Sequence, residues 1–178
     1  GPRTELLQEP LPAAKTALFG IRPCDVAAIS RMDRVLLKDR YVDEHYRVRR
    51  EQAFIVAANC VRSADTCFCA STGDGPRATQ GFDLVMSERD DGYLVEAGSD
   101  TGQRILAALE LAPASVAEQH AALAESEDAA RRQTRRLPSR NLRDTLFARP
   151  EHPRWQDVAA RCLSCGNCTS VCPTCFCH

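Results

Sequence analysis

The chain has 178 residues, 44% of them hydrophobic, and a formal net charge of −1, so it can form one domain with a small appendage. This charge gives no field that would favour nucleic acid or an anionic membrane, and no apolar run is long enough to span a bilayer. Its ten cysteines cluster as C-x-x-C and C-x-C, and no secretory signal peptide is recognisable. The cysteines therefore favour metal binding in a reducing cytosol over disulfides.

The first 136 residues are predicted to form an α/β or α+β body, because apolar strands there alternate with amphipathic helices. Strands are predicted over residues 16–21, 53–58, 82–87 and 93–96. A hairpin turn at Asp91 and Gly92 is expected to join the last two. Helices are predicted over residues 23–36, 43–52, 101–111 and 113–136. A loop over residues 61–81 joins the second strand to the third.

The rest of the chain is predicted to be a ferredoxin-like, cysteine-rich helical appendage. Residues 137–154 contain prolines that indicate a linker. Residues 155–178 are expected to begin a 4Fe-4S ferredoxin-type domain, with a short helix over 155–161. Because the chain stops inside a cysteine-rich segment, we expect the appendage to be truncated and the chain to be a fragment.

Four cysteines of this appendage have the spacing C-x2-C-x2-C-x3-C-P, which is that of bacterial ferredoxins. They are Cys162, Cys165, Cys168 and Cys172, followed by Pro173. Gly166 and Asn167 allow a tight turn, and thiolates are the preferred ligands of iron–sulfur clusters. In this spacing the fourth cysteine usually binds a neighbouring cluster, so the first cluster needs another thiolate. Cys175, Cys177 or a motif beyond residue 178 could supply it.

Zinc is the alternative metal for this run of cysteines. Zinc sites usually hold two C-x-x-C pairs that a loop keeps apart. Here two C-x-x-C steps overlap and a proline follows the last cysteine. The run therefore favours a [4Fe-4S] cluster.

A second set of four cysteines lies upstream, at Cys24, Cys60, Cys67 and Cys69. Cys24 follows the first predicted strand and Cys60 the second, so both thiols emerge at one sheet edge if the strands are neighbours. Cys67 and Cys69 can point to the same side of their loop. The pattern predicts a further cluster, with Arg22 and the following helix favouring thiolates. For Cys24 taken alone, a buried structural thiol is the alternative.

Residues 71–76, which read S-T-G-D-G-P, could form a loop that binds a flavin phosphate. They lack the G-x-G-x-x-G spacing and do not clearly open a helix, so a plain turn is favoured. The histidines show no H-x-x-x-H pattern, and no catalytic residue is predicted.

Four segments carry a family resemblance that covers the chain from about Lys15 to His178. They read F-G-I-R-P-C-D (19–25), C-F-C-A-S-T-G-D-G-P (67–76), Y-L-V-E-A-G-S (93–99) and C-L-S-C-G-N-C-T-S-V-C-P-T-C-F-C (162–177). Together they resemble the iron–sulfur beta subunits of cytosolic hydrogenases and sulfhydrogenases, and the A subunit of anaerobic sulfite reductase.

The resemblance implies a cytoplasmic [4Fe-4S] dicluster protein with at least one cluster, and two or more in a full-length protein. Such subunits pass electrons between a flavin- and NAD(P)-binding partner and a catalytic subunit of hydrogenase or sulfite/sulfur reductase type. Family members carry a second C-x2-C-x2-C-x3-C-P motif and a longer N-terminal part. The favoured function is thus a non-catalytic electron-transfer subunit. The alternatives are a zinc-stabilised interaction module and a flavin-binding reductase subunit.

Overall fold

The structure is a computed structural model that describes residues 10–138 and 141–172. These residues form a mixed α/β fold with one four-stranded sheet and eight helices. The strands are β1 (Thr16–Ile21), β2 (Ala53–Ala58), β3 (Leu84–Arg89) and β4 (Gly92–Ala97). The helices are α1 (Pro23–Leu36), α2 (Glu44–Glu51), α3 (Cys69–Thr72), α4 (Asp100–Ala108), α5 (Val116–Arg131), α6 (Leu142–Phe147), α7 (Arg154–Ala160) and α8 (Asn167–Val171).

The sheet has the strand order β1-β2-β3-β4. β1 pairs with β2 in parallel, β2 pairs with β3 in parallel, and β3 forms an antiparallel hairpin with β4. The carboxyl ends of β1, β2 and β3 therefore lie at one edge of the sheet. Gly92 already pairs with Arg89 as the first residue of β4, so the predicted turn at Asp91 and Gly92 is placed one residue too late.

The core forms where α1 packs against the middle of the sheet. Ile55, Val56 and Ala57 are consecutive in β2 and all buried, as expected for a central parallel strand that is covered on both faces. Val26 of α1 and Val85 of β3 join Ile55 and Ala57 in the main apolar cluster. The first turn of α1 is thereby fixed to the sheet directly after the end of β1.

The first turn of α4 lies close to the backbone just before β3, and hydrogen bonds hold the two segments together. The Asp83 carboxylate accepts hydrogen bonds from the Ile55 amide, at 2.8 Å, and from the Ser99 hydroxyl. Ser99 in turn caps α4 by accepting from Gly102 N at 3.0 Å. A Cβ at Gly102 would lie 1.9 Å from the carbonyl oxygen of Asp83, so only glycine fits there.

Asn59 joins the two ends of residues 60–78, a segment that we call the cysteine loop. It is only 3% exposed, and its Oδ1 accepts from Ala78 N at 2.8 Å. Its Nδ2 donates to the Ser87 hydroxyl of β3 at 2.9 Å. Beside it, Cys60 N donates to Pro76 O at 3.0 Å. The loop that carries Cys67 and Cys69 is therefore closed at its base on the sheet.

Two helices lie in segments that were predicted as loop or linker. Residues 142–147 of the predicted linker form α6, in which Asn141 caps the first turn by accepting from Asp144 N at 3.2 Å. The short helix α3 lies within the cysteine loop. The prolines on which the linker prediction rests gave no sign of this internal capped helix. The division into domains at residues 136 and 154 stays a prediction.

Replacing Asn59 by alanine is expected to lower the free energy of unfolding by about 2–3 kcal/mol, because the Ala78 amide and the Ser87 hydroxyl lose a buried partner. Denaturant unfolding followed by circular dichroism measures this change. The control is Gln119→Ala on an exposed part of α5, for which a change within ~0.5 kcal/mol is expected. An equally small change for Asn59→Ala would contradict the proposed role of this residue.

Candidate metal centres

The parallel pairing of β1 and β2 brings the first two cysteines of the upstream set to one sheet edge. Ile21, the last residue of β1, is in register with Ala57 near the end of β2. Cys24 follows β1 by three residues and Cys60 follows β2 by two. The two strands are neighbours, which was the condition for bringing both thiols to one edge, and both cysteines follow the strands on the same side of the sheet.

The upstream thiols lie close enough to influence one another's ionisation. Burial raises the pKa of Cys24, and the neighbouring charges of Asp25, Cys69 and Cys60 raise it further. Burial also raises the pKa of Cys60, as do Cys69 and Cys67, while Arg22 opposes the shift. The four predicted ligands Cys24, Cys60, Cys67 and Cys69 therefore form one electrostatic group.

The cysteine loop holds Cys67 and Cys69 through local backbone turns. Cys67 N donates to Ala64 O at 2.9 Å, and α3 begins at Cys69 itself. The helix ends after one turn at Gly73, whose left-handed conformation (φ +73°) favours glycine. The Asp74 amide then returns to Cys69 O at 3.0 Å. This folding keeps the C-F-C pair on a rigid turn.

The sulfur of Cys69 lies beside Gly75 on one side and accepts a hydrogen bond on another. A Cβ at Gly75 would lie 3.1 Å from this sulfur and 3.3 Å from Cβ of Pro23, so glycine leaves room beside the thiol. On another side the Gln133 amide donates from Nε2 to Cys69 Sγ at 3.2 Å. Gln133 was not predicted, because a single glutamine after a long helix carries no motif.

The group of thiols fits a cluster better than a single ion. No three or more His, Cys, Asp or Glu side chains of the described residues are arranged to hold one metal ion. Thiolates around a [4Fe-4S] cube bind different iron atoms, so they stand further apart than thiolates that share one zinc. The all-sulfur donor set fits an iron–sulfur cluster, and the N–H donor at Cys69 fits it as well.

The C-terminal cysteines lie on an exposed segment after α7. Cys162, Cys165 and Cys168 are exposed, and Ser164 N donates to Cys162 Sγ at 3.3 Å. Gly166 adopts a left-handed conformation (φ +72°) before α8 and makes the predicted tight turn. Cys172 directly follows α8, whereas Pro173, Cys175 and Cys177 lie outside the described residues. The thiols are thus accessible, with a backbone amide directed at the first sulfur.

The candidate flavin loop gives no support to phosphate binding. Gly73 ends α3 and does not open a helix, so the loop lacks the usual transition from a glycine-rich turn into a helix. The Asp74 carboxylate within this loop forms an ion pair with Arg31 at 3.1 Å, which already engages the nearby guanidinium. The plain-turn interpretation of residues 71–76 accounts for this geometry.

Comparisons with known proteins agree with the cysteine pattern. Residues 113–176 match the family model described as a 4Fe-4S dicluster domain. The chain is also 36% identical over 166 residues to sulfhydrogenase 2 subunit beta of Pyrococcus furiosus, a match that covers 92% of this chain and 49% of the relative. The chain therefore spans about half the length of this curated relative. No solved structure matched the chain.

The matched domain and its cysteine run define an iron–sulfur protein of the electron-transfer class, with [4Fe-4S] cofactors. More particularly, the chain is similar to the beta subunit of a sulfhydrogenase, which confirms that part of the resemblance drawn from its motifs. In the parts of the chain that the structure describes, no helix is both long and apolar enough to cross a membrane.

In metal-free protein, alkylation of Cys24 and Cys60 is expected to need a higher pH than in the same protein unfolded in urea. Their raised pKa leaves less reactive thiolate at a given pH in the folded state. Mass spectrometry of iodoacetamide-treated samples across a pH series gives the half-maximal pH for each cysteine. A lower half-maximal pH in the folded protein would contradict the conclusion that burial raises the pKa of Cys24 and Cys60.

Proposed function

We propose that the chain relays single electrons as the iron–sulfur subunit of a hydrogenase or sulfur-reductase complex. The observation that carries this proposal is the run of Cys162, Cys165, Cys168 and Cys172 with ferredoxin spacing inside the dicluster match. A bound [4Fe-4S] cluster gains and loses one electron without making bonds to substrate. The residues of the chain would bind and orient the cluster and tune its potential.

The C-terminal run is proposed to bind the first cluster through Cys162, Cys165 and Cys168. Ser164 N already donates to Cys162 Sγ at 3.3 Å, and such N–H groups stabilise the charge on cluster thiolates. Cys172 is proposed to serve a neighbouring cluster, as the fourth cysteine of this spacing usually does. Cys175 and Cys177 remain proposed sources of the missing thiolate.

The upstream set is proposed to bind a further cluster through Cys24, Cys60, Cys67 and Cys69. Three features support this assignment: the shared sheet edge, the mutual influence of the thiols, and the space at Gly75 beside Cys69. Gly75 lies close to both the Cys69 sulfur and Pro23, and these neighbouring residues make a wall of the proposed site. The wall lies on α1 and the cysteine loop, both of which pack on the sheet.

The partners of the chain are also a proposal. The relative from Pyrococcus furiosus is called a subunit, which supports assembly in a complex. Large apolar side chains are exposed around the C-terminal cysteines, with Phe147 77%, Leu163 90% and Val171 70% exposed. Such exposure is typical of surfaces that contact other subunits. A flavin- and NAD(P)-binding subunit and a catalytic subunit, in the cytoplasm, are the proposed partners.

Replacing Cys67 and Cys69 together by serine is expected to remove roughly four iron atoms and four sulfides per chain, because a cube loses two of its ligands. Protein prepared anaerobically is assayed for iron, acid-labile sulfide, zinc and flavin. The matched control is Ala70→Ser, which adds a hydroxyl at the exposed position directly after Cys69 and should keep the full iron content.

The replacement of Cys162 and Cys165 by serine gives the complementary result. It should remove iron from the C-terminal run and leave the iron of the upstream site in place. Iron that is unchanged in the Cys67/Cys69 double variant would eliminate the upstream cluster. Stoichiometric zinc, or flavin without iron and sulfide, in the unmodified chain would overturn the proposed function.

A further inference from the structure

Gln133 is a buried polar side chain just beyond the end of α5. It lies two residues after the last residue of that helix and is only 5% exposed. Its side chain reaches the start of α3 in the cysteine loop, more than 60 residues away in sequence. Burying an amide is costly unless each polar atom has a partner, so the partners of this side chain indicate its role.

The hydrogen bonds fix which end of the Gln133 amide faces the sulfur. Its Oε1 accepts from the Ala70 backbone N–H at 3.0 Å, and this donor requires an oxygen opposite it. Nε2 must then lie on the other side, where it is 3.3 Å from the Ser63 hydroxyl and 3.2 Å from Cys69 Sγ. Ser63 donates its own proton to Ala129 O at 2.7 Å and so can only accept from Gln133. One amide hydrogen is thereby directed at the sulfur of Cys69.

The same stretch of chain holds the loop at a second point. The Leu137 amide donates to the Ser71 hydroxyl at 3.0 Å, and that hydroxyl donates to Phe68 O at 2.7 Å. Residues 133–137 thus run along the C-F-C turn. The orientation of the Cys69 sulfur therefore depends on a segment from the dicluster match, which begins at residue 113.

We infer that Gln133 is a positioning residue that sets the reduction potential of the upstream cluster by donating its amide N–H to the sulfur of Cys69. This inference rests on the proposed function, since it requires that Cys69 bind a cluster. Adding one electron increases the negative charge that the thiolate ligands share. An N–H donor stabilises that charge, so the hydrogen bond favours the reduced state and raises the potential.

The test compares two substitutions that change the donor in different ways. Gln133→Glu keeps an oxygen for the Ala70 amide but places a second oxygen, with negative charge, toward Cys69. Gln133→Leu removes the donor with little change in size. The matched control is Gln119→Glu, the same chemical change on an exposed position of α5 whose side-chain amide donates to Ala114 O at 3.1 Å.

The upstream cluster is measured alone in the 178-residue chain that also carries the replacement of Cys162 and Cys165 by serine. Redox titration followed by electron paramagnetic resonance is expected to show a shift toward the oxidised form in both Gln133 variants. For Gln133→Glu we expect the redox equilibrium constant to change at least tenfold in favour of the oxidised form. This change corresponds to a reduction potential about 59 mV lower for a one-electron couple. Gln133→Leu should shift it by a smaller factor, and Gln119→Glu should not shift it.

A spectroscopic measurement on the chain with native Gln133 does not depend on how the variants fold. With glutamine side chains labelled with 15N, pulsed electron paramagnetic resonance of the reduced cluster should detect one coupled nitrogen, which disappears in Gln133→Leu. An unchanged potential in both Gln133 variants, or the absence of the nitrogen coupling, would overturn the inference. If the Cys67/Cys69 double variant keeps all its iron, the proposed upstream site itself has failed.

Discussion

The parallel pairing of β1 with β2 is the constraint that brings the cysteines of the proposed upstream site together. It places the residues after both strands at one edge of the sheet, with Ile21 in register with Ala57. Val26 buries the first turn of α1 against Ile55 and Ala57, so the turn that carries Cys24 cannot move away from the sheet. Asn59 closes the cysteine loop on the same edge through Ala78 and Ser87. Four thiols from distant parts of the sequence meet there as a consequence.

The second constraint comes from α5, whose end lies against the cysteine loop. The residues that follow this helix contact Cys69, Ala70 and Ser71 by hydrogen bonds before the chain continues toward α6. The dicluster match begins at residue 113 and thus includes α5, although the cysteine run itself starts at Cys162. The part of the chain that leads to the C-terminal cysteines is therefore hydrogen-bonded to the cysteine loop of the proposed upstream site.

The sequence predicted the strands well, because they have local signals, whereas the ligand residues stay a prediction that rests on the spacing of the cysteines. The run 53–58 is apolar enough to define β2, and the spacing from Cys162 to Cys172 is specific for iron–sulfur proteins. The sequence could not predict the proposed role of Gln133, because this role arises only when the end of α5 packs beside the cysteine loop. The helix α6 was missed because Asn141 caps a short helix between prolines. The turn at Asp91 was misplaced because Gly92 pairs with Arg89 as a strand residue.

The central claim is that two separate sets of thiols in one chain each bind an iron–sulfur cluster. Anomalous diffraction at the iron absorption edge, from crystals of anaerobically prepared protein, tests it most directly. We predict one iron peak among Cys24, Cys60, Cys67 and Cys69, and another beside Cys162, Cys165 and Cys168. A map with iron only beside the C-terminal run, and disulfides or bare thiols at the edge of the sheet, would contradict this account.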